Sequence, residues 1–232
     1  MQARVRLIGV LVCTVVPTAM ADPVFIKLDP GVYRQASNSP FYGDSGFTYE
    51  NFEDGLLNIL GVTNYHGNGT VVGPSGFTDS VDGDDGVIDG WGSSGHSMDD
   101  GWANRLSFAF DKTVIGAAPT RAGVVWTDGG NGDVTVTFEA FDLSGVSLGL
   151  VSDSFYDGAY SGDTLDDRFY GIEHAGGIGR IEIRYSGGLF EIDHVQYGTD
   201  ELTIVPVPTA SALAGLGLLC AGAWRLRKSA SL

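Results

Sequence analysis

VTVTFEAF, residues 134–141, decides the fold. Val134, Val136, Phe138 and Ala140 fall on one side of an extended chain, and Thr135, Thr137 and Glu139 on the other. Alternation with period two is the pattern of a strand with one face buried and one in water. RIEIRY, residues 180–185, repeats it, with Ile181, Ile183 and Tyr185 opposed by Glu182 and Arg184. Working outward, similar short runs occupy 24–28, 47–52, 57–63, 105–110, 121–126, 147–155, 168–174 and 189–197, separated by turn residues such as DGGNGD at 128–133. Glycine numbers 35 in 232 residues, roughly twice ordinary usage. About ten short strands with glycine-rich turns predict an all-β, jelly-roll-like β-sandwich. Residues 70–103, rich in Gly, Asp and Ser, read as a long loop or flap.

The ends differ from this middle. Arg4 and Arg6, an apolar core from Leu7 to Val16, and Ala19-Met20-Ala21 form a signal peptide over residues 1–21. The exported domain is then 22–204, and 205–232 is a C-terminal segment. That segment reads VPVPTASALAGLGLLCAGAWRLRK from Val205 to Lys228. Ile204–Trp224 would extend about 31 Å as a helix, barely the depth of a bilayer's hydrocarbon layer. Pro206, Pro208 and three glycines weaken that helix, and Arg225, Arg227 and Lys228 hold its end on the cytoplasmic side. The pattern suits a short membrane stop, removable or permanent.

Cys13 and Cys220 lie in these two ends, so the exported domain has no cysteine. Disulfides, thiol catalysis and Cys-based zinc sites are excluded from it. All 29 acidic residues but only 8 basic ones fall within 22–204, leaving a formal charge of −21. Such a surface repels phosphate backbones and excludes nucleic acid as a partner. It suits divalent cations, or simple solubility.

Together the ends resemble PEP-CTERM proteins of Gram-negative bacteria, which carry a signal peptide, an exported domain and a tail of Pro-Glu-Pro, an apolar segment and an Arg-rich end. Pro206 and Pro208 match the two prolines, Ala210–Trp224 the apolar segment, and Arg225, Arg227 and Lys228 the basic cluster; Val207 stands where the motif has Glu. The resemblance implies an exosortase-type membrane enzyme as processing partner. It also implies an initial tether to the inner membrane, then a place in the envelope, surface or extracellular matrix. NFEDGLLNILGVT, AGVVWTDGG and FEIDHVQYG are similar to a recurrent ectodomain of such proteins with no assigned activity.

Three constellations could carry chemistry. VDGDDGVIDG offers Asp82, Asp84, Asp85 and Asp89 on a glycine-bearing turn, the oxygen-rich setting calcium prefers. Its register fails the EF-hand pattern, which leaves another calcium geometry or a solvated acidic turn. ENFEDG and FEIDHVQYG open and close the sandwich, and resemble the Phe-Glu and Ile-Asp pairs of jelly-roll carbohydrate-binding modules. That resemblance implies a structural calcium shared by Glu53 and Asp193, with Asp54 as helper. Finally, Phe155, Tyr156 and Tyr160 lie among Asp and Gly, and Trp91 and Trp102 flank the acidic loop. These rings are either core residues or platforms for sugar, with polysaccharide the partner.

Catalysis has less support. His66, His96, His174 and His194 fall in no recognised motif. The expected role is therefore structural or glycan-binding. The alternative is a secreted polysaccharide hydrolase using paired carboxylates, but pairs such as Asp166-Asp167 are too plentiful in so acidic a domain to single one out.

Overall fold

The computed structural model describes residues 21–81, 95–129, 132–157 and 167–199. The signal peptide core, the loop carrying Asp82, Asp84, Asp85, Asp89 and Trp91, the segment with Tyr160, and the tail with Pro206, Pro208, Arg225, Arg227 and Lys228 lie outside them. Among the described residues no helix is long and apolar enough to cross a membrane.

Over the described residues the chain is all-β, with twelve strands in two antiparallel sheets. The first sheet holds β1 (Val24–Lys27), β10 (Arg168–Glu173), β7 (Arg121–Asp128), β12 (Glu191–Gly198), β5 (Ser97–Asp99) and β4 (Thr70–Val72) in that order, with β2 (Thr48–Glu50) also paired to β12. The second runs β3 (Val62–His66), β6 (Arg105–Phe110), β11 (Arg180–Tyr185), β8 (Gly132–Phe141), β9 (Ser147–Asp157). One short helix, α1 (Lys112–Ile115), follows β6; the Asp111 carboxylate caps its start and Gly116, at φ +93°, ends it.

The alternation predicted for β8 holds. Val134, Val136, Phe138 and Ala140 are buried between the sheets, with Ile181 and Ile183 of β11 and Leu106 and Phe108 of β6 beside them. The first sheet contributes Val124, Trp126, Tyr170, Ile172 and Ile192 to this core. Trp126 stacks on Phe190 at 5.0 Å and takes the edge of Tyr185 at 5.5 Å.

The outer face of the first sheet carries a smaller core of Tyr33, Phe41, Val81, Val125 and Phe169. Residues 29–47 cover it. Phe169 lies across Gly123 and Gly171, a register pair of β7 and β10, where added Cβ atoms would come within 2.5 and 2.7 Å of its ring. The cover is fixed by polar groups of β12: Tyr33 Oη lies 2.9 Å from His194 Nδ1, and Gln196 Nε2 donates to Tyr33 Oη at 3.1 Å. The second sheet's outer face has no such cover from the described residues and carries hydroxyl and ion pairs, among them Thr135–Ser154, Thr137–Ser152 and Arg184–Glu139.

Two expectations need correction. Residues 57–61 are not strand, because the Glu50 carboxylate takes the backbone N–H groups of Asn58 and Ile59 at 2.7 and 2.8 Å and folds them into a turn; β3 starts at Val62. The stretch 70–103 is not one long loop, because β4 and β5 lie within it and extend the first sheet.

Candidate functional site

At the end of the sandwich where β7 and β11 finish and β12 begins, the surface opens into a cleft of about 570 Å³. Its rings are Phe77, Trp102, Tyr185 and Phe190, and its carboxylates are Asp128 and Glu191. Phe77 is 78% exposed and Trp102 73% exposed, against complete burial for Trp126.

Local chemistry holds both exposed rings out. Trp102 has φ +64° and Asn104 φ +61°, a left-handed backbone that costs a non-glycine residue roughly 1–3 kcal/mol. The fully buried Asp100 sustains it. Its Oδ1 accepts from Trp102 N at 3.3 Å and Phe190 N at 3.1 Å, and its Oδ2 from Asn104 N at 2.6 Å. One carboxylate therefore shapes the Trp102 turn and ties it to the β11–β12 loop. Phe77 stands on a hydroxyl-braced turn, in which Ser75 Oγ accepts from Phe77 N at 3.2 Å and pairs with Thr78 Oγ1 at 3.0 Å.

Beneath the rings, Glu191 opposes Asp128 across the β7–β12 ladder. Ser97 Oγ and Asp79 N donate to Glu191 Oε2 at 2.5 and 3.0 Å. Burial raises the Glu191 pKa to about 7, with the charges of Asp128 and Asp99 adding to the rise and the two donors opposing it. Burial also raises the Tyr185 phenol, and the charges of Asp157 and Asp128 push the same way.

The residues expected to bind ligand are dispersed. Trp102 lines the cleft. Tyr156 is exposed on the outer face of the second sheet, away from the cleft lining. Phe155 points inward, with the Arg168 guanidinium 3.5 Å above its ring. Sequence reasoning missed Phe77, Asp100, Tyr185 and Glu191. The DDGW run at 99–102 was their only local trace: a carboxylate followed by a turn that presents a ring.

The expected calcium pair does meet. β2 pairs with β12, and Ser80 Oγ lies 3.4 Å from Glu53 Oε1 and 3.1 Å from Asp193 Oδ2. Asp193 Oδ2 also accepts from Val81 N at 2.9 Å and Oδ1 from His194 N at 2.6 Å, while Glu53 Oε1 accepts from His96 N at 2.7 Å. N–H groups aimed at these oxygens present positive charge where a cation would sit. Asp54 braces its own turn, with Oδ1 accepting from Leu56 N at 3.0 Å. Among the described residues no group of three or more His, Cys, Asp or Glu is placed to hold a metal. Through Ser80 and Val81, Glu53 and Asp193 tie the 79–81 segment to β12.

No family model matches the chain, and no curated protein matches it. Several solved structures resemble it at low identity, three of them as follows. The enzymatically active domain of bacteriophage CBA120 tailspike protein 4 is 14% identical over 74% of this chain, with a TM-score of 0.30; the chain spans 21% of that one. TmCBM61 in complex with β-1,4-galactotriose is 15% identical over 64% of this chain and 94% of its own, with a TM-score of 0.24. A xylan-binding domain from CBM 22 is 15% identical over 69% of this chain and 99% of its own, with a TM-score of 0.28.

Proposed function

We propose that the chain is a glycan-binding domain of an exported cell-surface protein, and that a saccharide occupies the Phe77–Trp102–Tyr185 cleft. One observation carries this reading: two large rings stand about three-quarters exposed over a concavity that also holds two carboxylates. Leaving Phe and Trp in water is unfavourable, and here buried Asp100 and the Ser75 turn hold them there. Apolar walls with a few fixed polar groups are the composition of a small-molecule site. Sugar rings present apolar faces to aromatic rings and hydroxyls to carboxylate acceptors. The jelly-roll reading belongs to the same proposal; successive strands β6, β7 and β8, and again β10, β11 and β12, alternate between the sheets.

A second reading is favoured by Glu191. A carboxyl held near pH 7 opposite a second carboxylate is the arrangement of an acid and a base or nucleophile in glycoside hydrolysis. One experiment separates the two. The full-length protein is titrated with xylo-, galacto- and gluco-oligosaccharides while reducing ends are measured. Binding without release of reducing ends, weakened at least tenfold by Trp102→Ala or Phe77→Ala, is expected; tenfold corresponds to about 1.4 kcal/mol per ring. Release that is abolished by Glu191→Gln while binding persists establishes the hydrolase. Binding indifferent to both ring substitutions overturns the cleft assignment.

A further inference from the structure

The opposite end of β11 borders a second concavity of about 490 Å³. Its wall is built by Phe110, Asp111, Lys112 and Thr113 where β6 passes into α1, by the β8–β9 turn from Asp142 to Gly145, by Arg180 and by Tyr65. β11 starts at Arg180 here and ends at Tyr185 in the first cleft. Six residues of strand place the two about 17 Å apart along one strand, and no residue lines both.

The second cleft combines the same kinds of group. Tyr65 offers a ring 57% exposed. Arg180 is fixed beside it: its guanidinium carbon sits 3.5 Å over the Phe141 ring and 5.2 Å from the centre of Tyr65. Its Nη1 donates to Ser107 Oγ at 3.1 Å and Glu182 Oε2 at 2.6 Å. A planar donor held this way loses little freedom when a ligand arrives. Asp111 Oδ1 accepts both the N–H and the hydroxyl of Thr113, and Asp142 Oδ1 accepts from Ser144 N and Val146 N. In each carboxylate these bonds fall on Oδ1, which leaves Oδ2 to accept from a ligand. The hydrogen bonds from Thr113 hold the Asp111 carboxyl below its ordinary range, so it stays ionised.

The charge balance narrows the ligand. Two cations, Lys112 and Arg180, face two carboxylates, Asp111 and Asp142, so the lining is formally neutral within a domain carrying −21. A free anion meets the carboxylates and a free cation meets Lys112 and Arg180. A neutral ring rich in hydroxyls can both donate and accept here, with its apolar face on Tyr65. We propose that this cleft is a second saccharide site, so that one domain holds two glycan segments and bridges them. This rests on the glycan reading of the first cleft.

The test uses the full-length protein with xylo-, galacto- and gluco-trisaccharides, followed by calorimetry, and the corresponding polymers, followed by turbidity. For a bound trisaccharide the expected stoichiometry is two, falling to one in Tyr65→Ala, to one in Trp102→Ala and to zero in the double variant. The wild type should cross-link the polymer and neither single variant should. Lys112→Ala, at an exposed position, should weaken the second site several-fold while leaving the first unchanged. A stoichiometry of one, lost in Trp102→Ala and unmoved by Tyr65→Ala and Lys112→Ala, overturns the second site and leaves the first standing. No binding of any of the three sugars overturns both.

Discussion

Glu191 lines the first cleft and couples its wall to the stability of the fold. Its carboxyl is buried among Ser97, Asp79, Asp99 and Asp128, and burial raises its pKa from the usual 4.5 to about 7. The folded state therefore holds this proton more tightly than the unfolded chain. The stability it contributes is fully present below pH 4.5 and is lost as pH rises through 7. A shift of this size is worth on the order of 3 kcal/mol. Denaturant titrations of wild type and Glu191→Gln at pH 5 and pH 8 should show the wild type losing stability relative to the variant at the higher pH. An unchanged difference between the two proteins would place the Glu191 pKa near its unfolded value. Trp102 was visible in the sequence as an aromatic beside acidic residues. Glu191 was not, because its neighbours Asp79, Ser97 and Asp128 are 112, 94 and 63 positions away and only the sheet pairing gathers them.

At the scale of elements, β12 is the organiser. Its inward side chains Ile192 and Val195 join the main core, while Asp193, His194 and Gln196 are fully buried polar groups that receive other segments. Asp193 takes the backbone of Val81, and His194 and Gln196 take Tyr33. If the Glu53–Ser80–Asp193 contact is a staple rather than an ion cage, chelation by EDTA should leave the melting temperature unchanged. Asp193→Ala should lower stability by about 1–3 kcal/mol, since buried N–H and O–H donors lose their acceptor. A drop in melting temperature on chelation, reversed by calcium and absent in Asp193→Ala, would restore the ion. The strands with clean alternation, β8 and β11, were legible because one face of each is core and the other is water. β4 and β5 were not, because three residues are too few to show a period. The turn at 57–61 was misread as strand because its apolar residues carry no sign of the Glu50 carboxylate that folds them.

At the scale of the whole molecule, the all-β class and two sheets over one core followed from alternation and glycine-rich turns. Which end of the sandwich would carry a site did not, since that depends on which loops meet. The absence of cysteine between Asp22 and Ile204 leaves burial and buried polar networks to hold the fold. Export and tail removal belong to this scale. If both terminal signals act, the protein recovered from its native envelope should have an intact mass that starts at Asp22 and ends near Val205. A mass that retains Leu232 would leave a permanent anchor.

The place of β12 in the first sheet bears on when folding can happen. It is the last described strand in sequence, yet it sits inside the sheet, bonded to β7 on one side and to β2 and β5 on the other. Until residues 191–198 have emerged, the first sheet is three unjoined pieces (β1-β10-β7, β5-β4 and a lone β2), and residues 29–47 lack the His194 and Gln196 groups that hold them down. The five strands of the second sheet all precede β12, so that sheet can pair before the first sheet is joined and the core between them is closed.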